Sequence, residues 1–231
     1  MMRKGLNNYQ LKIIAMVTMT VDHIGLLLLP RLVILRLIGR LAFPIYGYMI
    51  AEGCRHTRSM PRYLGGVAAV AAICQLVYLF AAGSLYQCIM VTFSYSIGLI
   101  WLVQNAVRRK TAGAWGLVTA GVLAAFFVTE ILPFLLKGTD YGVDYGFLGV
   151  LLPVCIYLCK GKAQKLCIAA LVLTLFAGSS WIGQWFSLLA IPLLALYNGQ
   201  RGTPGLKWLF YFYYPVHLAV LQGLSVIVGL L

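Results

Sequence analysis

Long apolar runs separated by short polar segments set the pattern of this chain. We expect nine helical segments, at about residues 9–29, 33–54, 61–82, 87–107, 112–132, 143–159, 165–179, 182–198 and 208–230. The first five and the last come close to the ~20 residues that a helix needs to cross the hydrocarbon core of a bilayer. Segments this long and apolar favour helices over barrel strands. The pattern therefore predicts an all-α fold, a polytopic transmembrane helical bundle of about nine spans.

The series is not interrupted by a soluble domain or a long linker, so we expect a single domain over residues 1–231. Only Ser179-Ser180-Trp181 joins the seventh and eighth segments, which form either two spans or one re-entrant hairpin. The first segment contains Asp22 and His23 and lacks a small-residue cleavage site, which favours a span over a removable signal peptide.

Composition supports a membrane protein. Hydrophobic residues make up 62% of the chain and charged residues 10%, whereas a soluble domain is about half apolar and a quarter charged. The six cysteines lie mostly inside predicted helices, where we expect them to act as small buried hydrophobic residues. We expect no metal site, because no histidine lies near the Cys155–Cys159 pair in sequence.

Lysine and arginine are distributed unequally between successive loops. Fourteen of the eighteen fall at the N-terminus and in every second loop after it, and the remaining four include Arg36 and Arg40 inside the second segment. Because cytoplasmic loops are enriched in Lys and Arg, we expect the N-terminus in the cytoplasm and the C-terminus outside. The same placement explains the net charge of +13 by membrane topology, so we expect no nucleic acid partner.

Ionisable residues concentrate in one stretch, from Val21 to Thr57. A charged side chain at the centre of a bilayer costs about 2.5–3.5 kcal/mol on insertion scales, so such a cluster is a functional-site hypothesis. The predicted topology places one group in the outer half of the membrane and a second group at the cytoplasmic end of the second helix. The outer group is Asp22, His23, Arg36 and Arg40, and the cytoplasmic group is Glu52, Arg55, His56 and Arg58.

Two interpretations are open for each member of the outer group. His23 is either a membrane histidine bonded to backbone or a general base with a pKa near neutrality, which Asp22 orients. Arg36 and Arg40, four residues apart, lie on one helix face. They either extend to the interface or form a cationic clamp for an acyl donor or for a carboxylate, Asp22 or Glu130.

Later polar residues also have two interpretations. In the repeat DYGVDYG, Asp140, Tyr141 and Asp144 either cap a helix or bind an extracytoplasmic cation such as a peptide amine. The cytoplasmic group around Glu52 is either a positive-inside anchor with local ion pairs or a phosphate-binding mouth.

Polar residues near the C-terminus extend this list. Asn198 begins an Asn-Gly helix end, close in sequence to the cations Arg201 and Lys207. His217 lies in the last segment beside Pro215, which indicates a cavity at that depth.

Five blocks of sequence resemble the TraX family. They read LKIIAMVTMTVDHIG, RLIGRLAFPIYGYMIAEGCRHT, DYGFLGVLLPVCIYL, LLAIPLLALYNGQRG and KWLFYFYYPVHLAVL. They cover nearly the whole chain in order, and the first two are specific. Founding members of this family are membrane proteins that acetylate the N-terminus of F-type pilin.

The resemblance implies an N-acetyltransferase of the bacterial cytoplasmic membrane that moves acetyl from acetyl-CoA to a small exported or membrane peptide. The family is similar to a wider superfamily of transmembrane acyltransferases with a first-span histidine, an arginine pair and a late histidine. His23, Arg36-x-x-x-Arg40 and His217 stand at those positions, although the arginine spacing differs from the common RxxR.

The implied site has three parts. The catalytic residues are His23, Asp22, Arg40 and Arg36. The residues expected to bind coenzyme A are Arg55, His56, Arg58, Asn198, Arg201, Lys207 and His217. The residues expected to bind the acceptor are Glu130, Asp140, Tyr141 and Asp144.

The motifs that the sequence lacks bear on the mechanism, and three other functions fit the same residues. The chain has no GxSxG, P-loop, HExxH or dinucleotide fingerprint, which favours direct transfer over a covalent acyl-enzyme. An O-acetyltransferase for a cell-surface glycan is one alternative. A proton-coupled transporter is another, because an acid-histidine pair in a membrane suits that function. A non-catalytic assembly factor for pili or export is the third.

Overall fold

The structure is a computed structural model that describes residues 5–202 and 207–229, apart from the side chains of Ala81 and of residues 207–211. In this part of the chain the regular elements are helices, and β-pairing is limited to isolated bridges. The α-helices are α1 (Asn8–Leu27), α2 (Val33–Gly39), α3 (Ala42–His56), α4 (Met60–Ala82), α5 (Ile89–Arg109), α6 (Ala112–Phe126), α7 (Leu132–Leu135), α8 (Gly146–Leu158), α9 (Lys162–Gly178), α10 (Ala190–Ala195) and α11 (Lys207–Ile227). A π-helical turn, Phe127–Ile131, precedes α7, and a 3₁₀-helix, Ile182–Leu189, precedes α10.

Each of the nine predicted segments corresponds to helical structure, so the all-α prediction is confirmed. Five helical stretches are long and apolar enough to cross a membrane: Asn8–Leu27, Val33–His56, Met60–Phe80, Ile89–Arg109 and Ala112–Leu135. Shorter apolar helices follow at Gly146–Leu158, Ile182–Ala195 and Phe212–Ile227. The count of nine spans, the orientation of the termini and the single domain remain predictions.

Proline explains why the second predicted helix consists of two pieces. A proline inside a helix has no N–H to donate to the carbonyl four residues earlier, and its ring clashes with that carbonyl. For Pro44 that carbonyl belongs to Arg40, and the chain turns there, with the Arg40 N–H bonded three residues back to Leu37 O at 3.2 Å. The break between α2 and α3 therefore follows from the sequence.

Two other irregular turns have the same cause. Pro133 would leave the Thr129 carbonyl without its helical donor, and Thr129 lies in the π-helical turn, which closes with the Leu132 N–H bonded to Phe127 O. Pro192 would leave the Leu188 carbonyl without its helical donor, and Leu188 lies in the 3₁₀-helix. The eighth predicted segment ends at Ala195 and not at residue 198.

The chain divides into two compact units. The second unit is Ile50–Leu158, and the first unit consists of the described residues before and after it. In the first unit, α1 packs against α2 and α11, and the 3₁₀-helix packs against α2 and α9. Leu6 pairs with the chain after α10, where Leu6 N donates to Leu196 O and Asn198 N donates to Leu6 O, both at 2.9 Å.

Helix α5 is the centre of the second unit, where it packs against α4, α6 and α8. Hydroxyls and amides on its buried face reach α8. Ser96 Oγ donates to Val150 O at 2.8 Å, and Gln104 Nε2 donates to the Tyr157 hydroxyl at 2.8 Å. Most side chains of α6 are exposed and apolar, as expected for a helix that contacts lipid.

Candidate functional site

Asp22 forms the centre of an ion-paired cluster in the first unit. Its Oδ2 lies 2.5 Å from Arg36 Nη1, and its Oδ1 lies 2.6 Å from Arg40 Nη2. The Asp22 side chain is 13% exposed, and those of Arg36 and Arg40 are 26% and 11% exposed. Of the two carboxylates considered as partners for the arginines, Asp22 is thus the one that the structure places there. One carboxylate against two guanidinium groups leaves the cluster a net charge of +1 in its ionised form.

Two glycines bring α1 and α2 close enough for these contacts. A Cβ atom at Gly39 would overlap the carboxylate of Asp22, and one at Gly25 would come within 2.7 Å of Leu35 Cβ. The close approach therefore requires residues without side chains at both positions. Although α2 ends at Gly39, Arg40 Nε still donates to Arg36 O at 3.1 Å, which keeps both guanidinium groups on the same side.

The 3₁₀-helix brings two buried polar residues to this cluster that the sequence analysis missed. Arg40 Nη1 donates to Gln184 Oε1 at 3.2 Å. Gln184 is 3% exposed and Ser187, three residues later, is 0% exposed. Gln184 Nε2 and Ser187 Oγ have no hydrogen-bond partner among the residues that the structure describes. A polar residue inside the apolar run SWIGQWFSLL was the available signal.

His23 contacts His217 across the packed helices α1 and α11. His217 Nε2 lies 3.3 Å from His23 Nδ1, and the ring planes are at 74°. Each ring is also anchored to its own helix, His23 Nδ1 lying 2.9 Å from Met19 O and His217 Nδ1 lying 2.9 Å from Tyr213 O. Sequence analysis assigned His217 to the binding of coenzyme A. In the structure it contacts His23, the residue predicted to act as the base.

These contacts fix the tautomers of the neutral rings. A carbonyl oxygen only accepts, so the proton of each ring sits on Nδ1. His217 Nε2 then accepts from the Nδ1–H of His23, which is shared with Met19 O. His23 Nε2 is left with a lone pair and no hydrogen-bond partner in the described part of the chain. An imidazole held in this way has the properties of a general base.

A layer of aromatic residues supports the pair. The ring of His217 stacks on Tyr213 at 5.1 Å between centroids and contacts the edge of Tyr214 at 5.3 Å. The Tyr213 hydroxyl is hydrogen-bonded to Thr20 Oγ1 on α1. Tyr213 therefore fixes α11 against α1 on the same side as the histidines.

The predicted acceptor-binding residues lie in the second unit, where they bind backbone and side-chain groups of that unit. Glu130 Oε1 accepts from Phe147 N at 2.7 Å, within the first turn of α8. Asp140 Oδ1 accepts from Leu85 N at 3.0 Å. Capping of α8 thus involves Glu130, which was not the residue expected to cap it.

The other two members of that set have similar contacts. Asp144 Oδ1 accepts from the Tyr86 hydroxyl at 3.1 Å, and the Tyr141 hydroxyl donates to Val128 O at 3.4 Å. The chain between α7 and α8 is held in this way against the loop before α5, where Gln87 N donates to Gly142 O at 2.7 Å.

The cytoplasmic group also lies in the second unit, at the end of α3, and its cations differ in exposure. Arg55 Nη2 donates to Tyr157 O at the end of α8, and its guanidinium lies 5.1 Å from the Tyr157 ring centroid. Glu52 is buried, with Oε1 3.8 Å from Arg55 Nε and Oε2 3.7 Å from His56 Nε2. His56 and Arg58 are exposed. Arg55 thus contributes to helix packing, while His56 and Arg58 face outward.

The remaining predicted residues lie in the first unit. Asn198 Nδ2 donates to Gly5 O at 3.3 Å, and its Oδ1 accepts from Gln200 N at 2.9 Å, so it stabilises the turn after α10. Arg201 is exposed. Lys207 begins α11, and its side chain lies outside the described residues.

Sequence comparison relates this chain to known proteins. A family model described as "TraX protein" matches residues 7–225. A "Probable fimbrial assembly protein FimC, serogroup H1" from Dichelobacter nodosus is 28% identical over 92% of this chain and 93% of its own length. An uncharacterized protein from Rickettsia prowazekii (strain Madrid E) is 56% identical over 17% of this chain and 16% of its own. No solved structure matches.

Proposed function

The chain belongs to the TraX family, and we propose that it is a membrane-embedded acetyltransferase that uses acetyl-CoA as donor. The acceptor in this proposal is the N-terminal amine of a small exported or membrane peptide of the pilin type. The Dichelobacter nodosus relative, a probable fimbrial assembly protein, supports a pilin-like acceptor.

The observation that carries the proposal is the state of His23. Its Nδ1–H is held by Met19 O and His217 Nε2, which leaves Nε2 as a proton acceptor inside an apolar bundle. A positioned base of this kind contributes about 10²–10⁴-fold to the rate of a reaction. Amine acylation needs such a base, because the attacking nitrogen must lose a proton.

The proposed reaction is direct transfer. The acceptor amine attacks the thioester carbonyl carbon, a C–N bond forms, and the carbonyl electron pair moves to oxygen. His23 Nε2 accepts the amine proton. The C–S bond then breaks, and the proton passes to the leaving sulfur, so that the products are the N-acetyl peptide and the free thiol of coenzyme A. His217 acts through His23, since it contacts the ring on the nitrogen that stays protonated.

Topology and donor binding are part of the proposal. The Lys/Arg distribution favours nine spans with the N-terminus in the cytoplasm, and membership of the TraX family supports the bacterial inner membrane as the location. The donor phosphates need several fixed cations. Arg58, with His56 near it, is the favoured candidate because both are exposed, and Arg201 is an independent one.

Mass spectrometry of the small membrane peptides tests the proposal. Cells with and without the protein are compared, and purified protein is given acetyl-CoA labelled with ¹³C in the acetyl group. We expect one peptide whose N-terminus carries the label only when the protein is present. Label on a glycan hydroxyl would establish the O-acetyltransferase alternative.

A proton-coupled transporter is the second candidate, favoured by Asp22 and the His23–His217 pair in apolar helices. Proton movement into protein-containing vesicles without any acetylated product would establish it and overturn acetyl transfer.

A further inference from the structure

We propose that Gln184 and Ser187 form a subsite that binds the carbonyl oxygen of the acyl donor and stabilises the negative charge that develops on it. This proposal rests on the acetyltransferase function proposed above. Arg40, Gln184 and Ser187 all belong to the first unit.

The amide of Gln184 has a fixed orientation. A guanidinium group only donates hydrogen bonds, so the Gln184 atom 3.2 Å from Arg40 Nη1 must be the oxygen. The amide nitrogen therefore points away from Arg40 and has two N–H groups to donate. It has no partner among the described residues, in a side chain that is 3% exposed.

Ser187 adds a second donor on the same face. In a 3₁₀-helix the side chains of residues i and i+3 eclipse each other. Gln184 and Ser187 have this spacing within Ile182–Leu189. The Ser187 hydroxyl is completely buried and has no partner in the described part of the chain. Two unpaired donors thus project from adjacent positions of one short helix.

The two buried donors, on Gln184 and Ser187, are expected to bind a hydrogen-bond acceptor. Most buried polar atoms in proteins are hydrogen-bonded, because leaving one unpaired forfeits its hydration without return. An acceptor bound here also lies near Arg40, which belongs to a cluster with one carboxylate and two guanidinium groups. The net positive charge favours an oxygen that becomes negative during reaction, and a low local dielectric strengthens that attraction.

A thioester carbonyl has these properties. When the amine attacks, the C–N bond forms and the carbonyl electron pair moves to the oxygen, which accepts hydrogen bonds from Gln184 Nε2 and Ser187 Oγ. When the C–S bond breaks, the pair returns to the carbonyl. Neither residue gains or loses a proton. A buried water molecule is the competing occupant, since it would satisfy the same donors.

Substitutions that remove one donor each provide the test. Gln184→Met and Ser187→Ala delete the amide and the hydroxyl. Gln104→Met is the matched control, since it deletes a membrane glutamine whose amide is bound to the Tyr157 hydroxyl. Thermal unfolding of each purified variant measures its stability. Because the Ser187 hydroxyl has no structural partner, we expect Ser187→Ala to unfold at the wild-type temperature or above it.

The first readout is kinetic. Removal of one donor to a developing oxyanion lowers kcat about 10²–10³-fold. We expect a loss of that size in Gln184→Met, a smaller loss in Ser187→Ala, little change in KM for acetyl-CoA and wild-type kcat in Gln104→Met. Wild-type kcat in both Gln184→Met and Ser187→Ala would overturn the subsite.

The second readout does not need an acceptor or turnover. Infrared difference spectra are recorded with acetyl-CoA carrying ¹³C at the thioester carbonyl. We expect the carbonyl stretch to shift to lower frequency on binding to wild type and to Gln104→Met, and to return toward the free value in Gln184→Met. A shifted band in a protein that transfers no acetyl group to any acceptor in the kinetic assay would keep the subsite and overturn acetyl transfer. An unshifted band in bound wild-type protein would overturn the subsite and leave a water molecule as the occupant.

Discussion

The two units contain similar polar side chains and use them differently. In the second unit Glu130, Asp140 and Asp144 each accept a hydrogen bond from a neighbouring backbone amide or tyrosine hydroxyl. In the first unit Gln184 uses its side-chain oxygen for positioning and keeps a buried amide nitrogen without a partner among the described residues. His23 uses Nδ1 for positioning, which leaves Nε2 available. Sequence position alone made all of these residues candidates. The difference in pairing separates those that hold the fold from those able to bind a substrate.

The physical reason lies in the cost of desolvation. A buried polar atom without a partner destabilises the folded state by roughly 1–3 kcal/mol. A protein retains such an atom where a ligand will satisfy it, and strain of this kind is concentrated at functional sites. A carboxylate such as Glu130, whose Oε1 accepts from a backbone amide, has less capacity left for a substrate. The comparison therefore predicts that replacing His23 or Gln184 lowers activity with little loss of stability, whereas replacing a carboxylate that is held by ion pairs or hydrogen bonds, such as Asp22 or Glu130, lowers stability.

The largest expected effect is the loss of activity in His23→Ala. Removal of the base should lower acetyl transfer by about 10²–10⁴-fold, while binding of acetyl-CoA to the purified protein remains close to wild type. Rates with a labelled donor and equilibrium binding measure the two quantities. An active His23→Ala protein would refute the assignment of His23 as base.

Substitutions of His217 test the assignment of His23 as base in a second way. We expect His217→Ala to reduce the rate less than His23→Ala, since Nε2 of His23 is retained. His217→Gln should restore part of the rate, because its side-chain oxygen can accept from the Nδ1–H of His23. A change in the pH–rate profile of His217→Ala, absent from a variant such as Gln104→Met, distinguishes positioning of the base from loss of packing.

Stability provides the second prediction. Asp22→Ala removes the carboxylate from two guanidinium groups. Deleting one partner of a fully buried pair costs about 3–5 kcal/mol, and we expect a cost toward the lower end of that range because Arg36 is 26% exposed. Glu130→Ala removes one hydrogen bond at the start of α8, which by comparison with helix caps costs about 1 kcal/mol. Reversible unfolding in detergent micelles measures both.

Equal destabilisation of the two variants would contradict the expected difference between an ion-paired cluster and a single hydrogen bond. Loss of acetyl transfer in Glu130→Ala at full stability would contradict the comparison between the two units, since Glu130 would then bind the acceptor as the sequence suggested.

The fold was largely predictable because apolar periodicity and proline act locally. The positions of the helices follow from runs of apolar residues, and the break at Arg40 follows from Pro44 four residues later. Pairing of Asp22 with Arg36 and Arg40 was also accessible, because a carboxylate in a membrane requires a nearby cation. These inferences involve residues close in sequence.

The rest of the site depends on packing between distant parts of the chain. Gln184 lies 144 residues after Arg40, and His217 lies 194 residues after His23. A single sequence contains no signal for such pairs, which is why neither contact was predicted. The polar side chain of Gln184 inside an apolar run was visible in the sequence, but its partner was not. The assignment of Arg55 to phosphate binding missed the carbonyls at the end of α8, which its guanidinium binds.

The third prediction compares two arginines of the cytoplasmic group. Arg58→Ala should weaken acetyl-CoA binding several-fold at low salt, with little change in stability, since Arg58 is exposed and such interactions are screened by salt. Arg55→Ala should lower the unfolding temperature because the end of α8 loses its donor. Isothermal titration with acetyl-CoA at two salt concentrations measures the affinity of each variant, and thermal unfolding measures its stability. Unchanged affinity in Arg58→Ala would move the phosphates to another cation, with Arg201 next.

The smallest expected effect is the pH dependence of the loop that contains Asp140. Its direction is set by the charge of the Asp140 carboxylate. The Ser84 hydroxyl and the Leu85 amide, which donate to the carboxylate, lower the pKa of Asp140 below its usual value. The ionised form is therefore favoured in the folded loop. Its contribution is fully present above the ordinary Asp pKa of ~3.9 and is lost as the pH falls through the lower folded value. We expect the Leu85 amide resonance to move with a midpoint below ~3.9, and Asp140→Asn to abolish that movement. A midpoint at or above the ordinary value would show that the loop does not favour the carboxylate, and Asp140 would then regain its place among the candidates for binding a cationic acceptor.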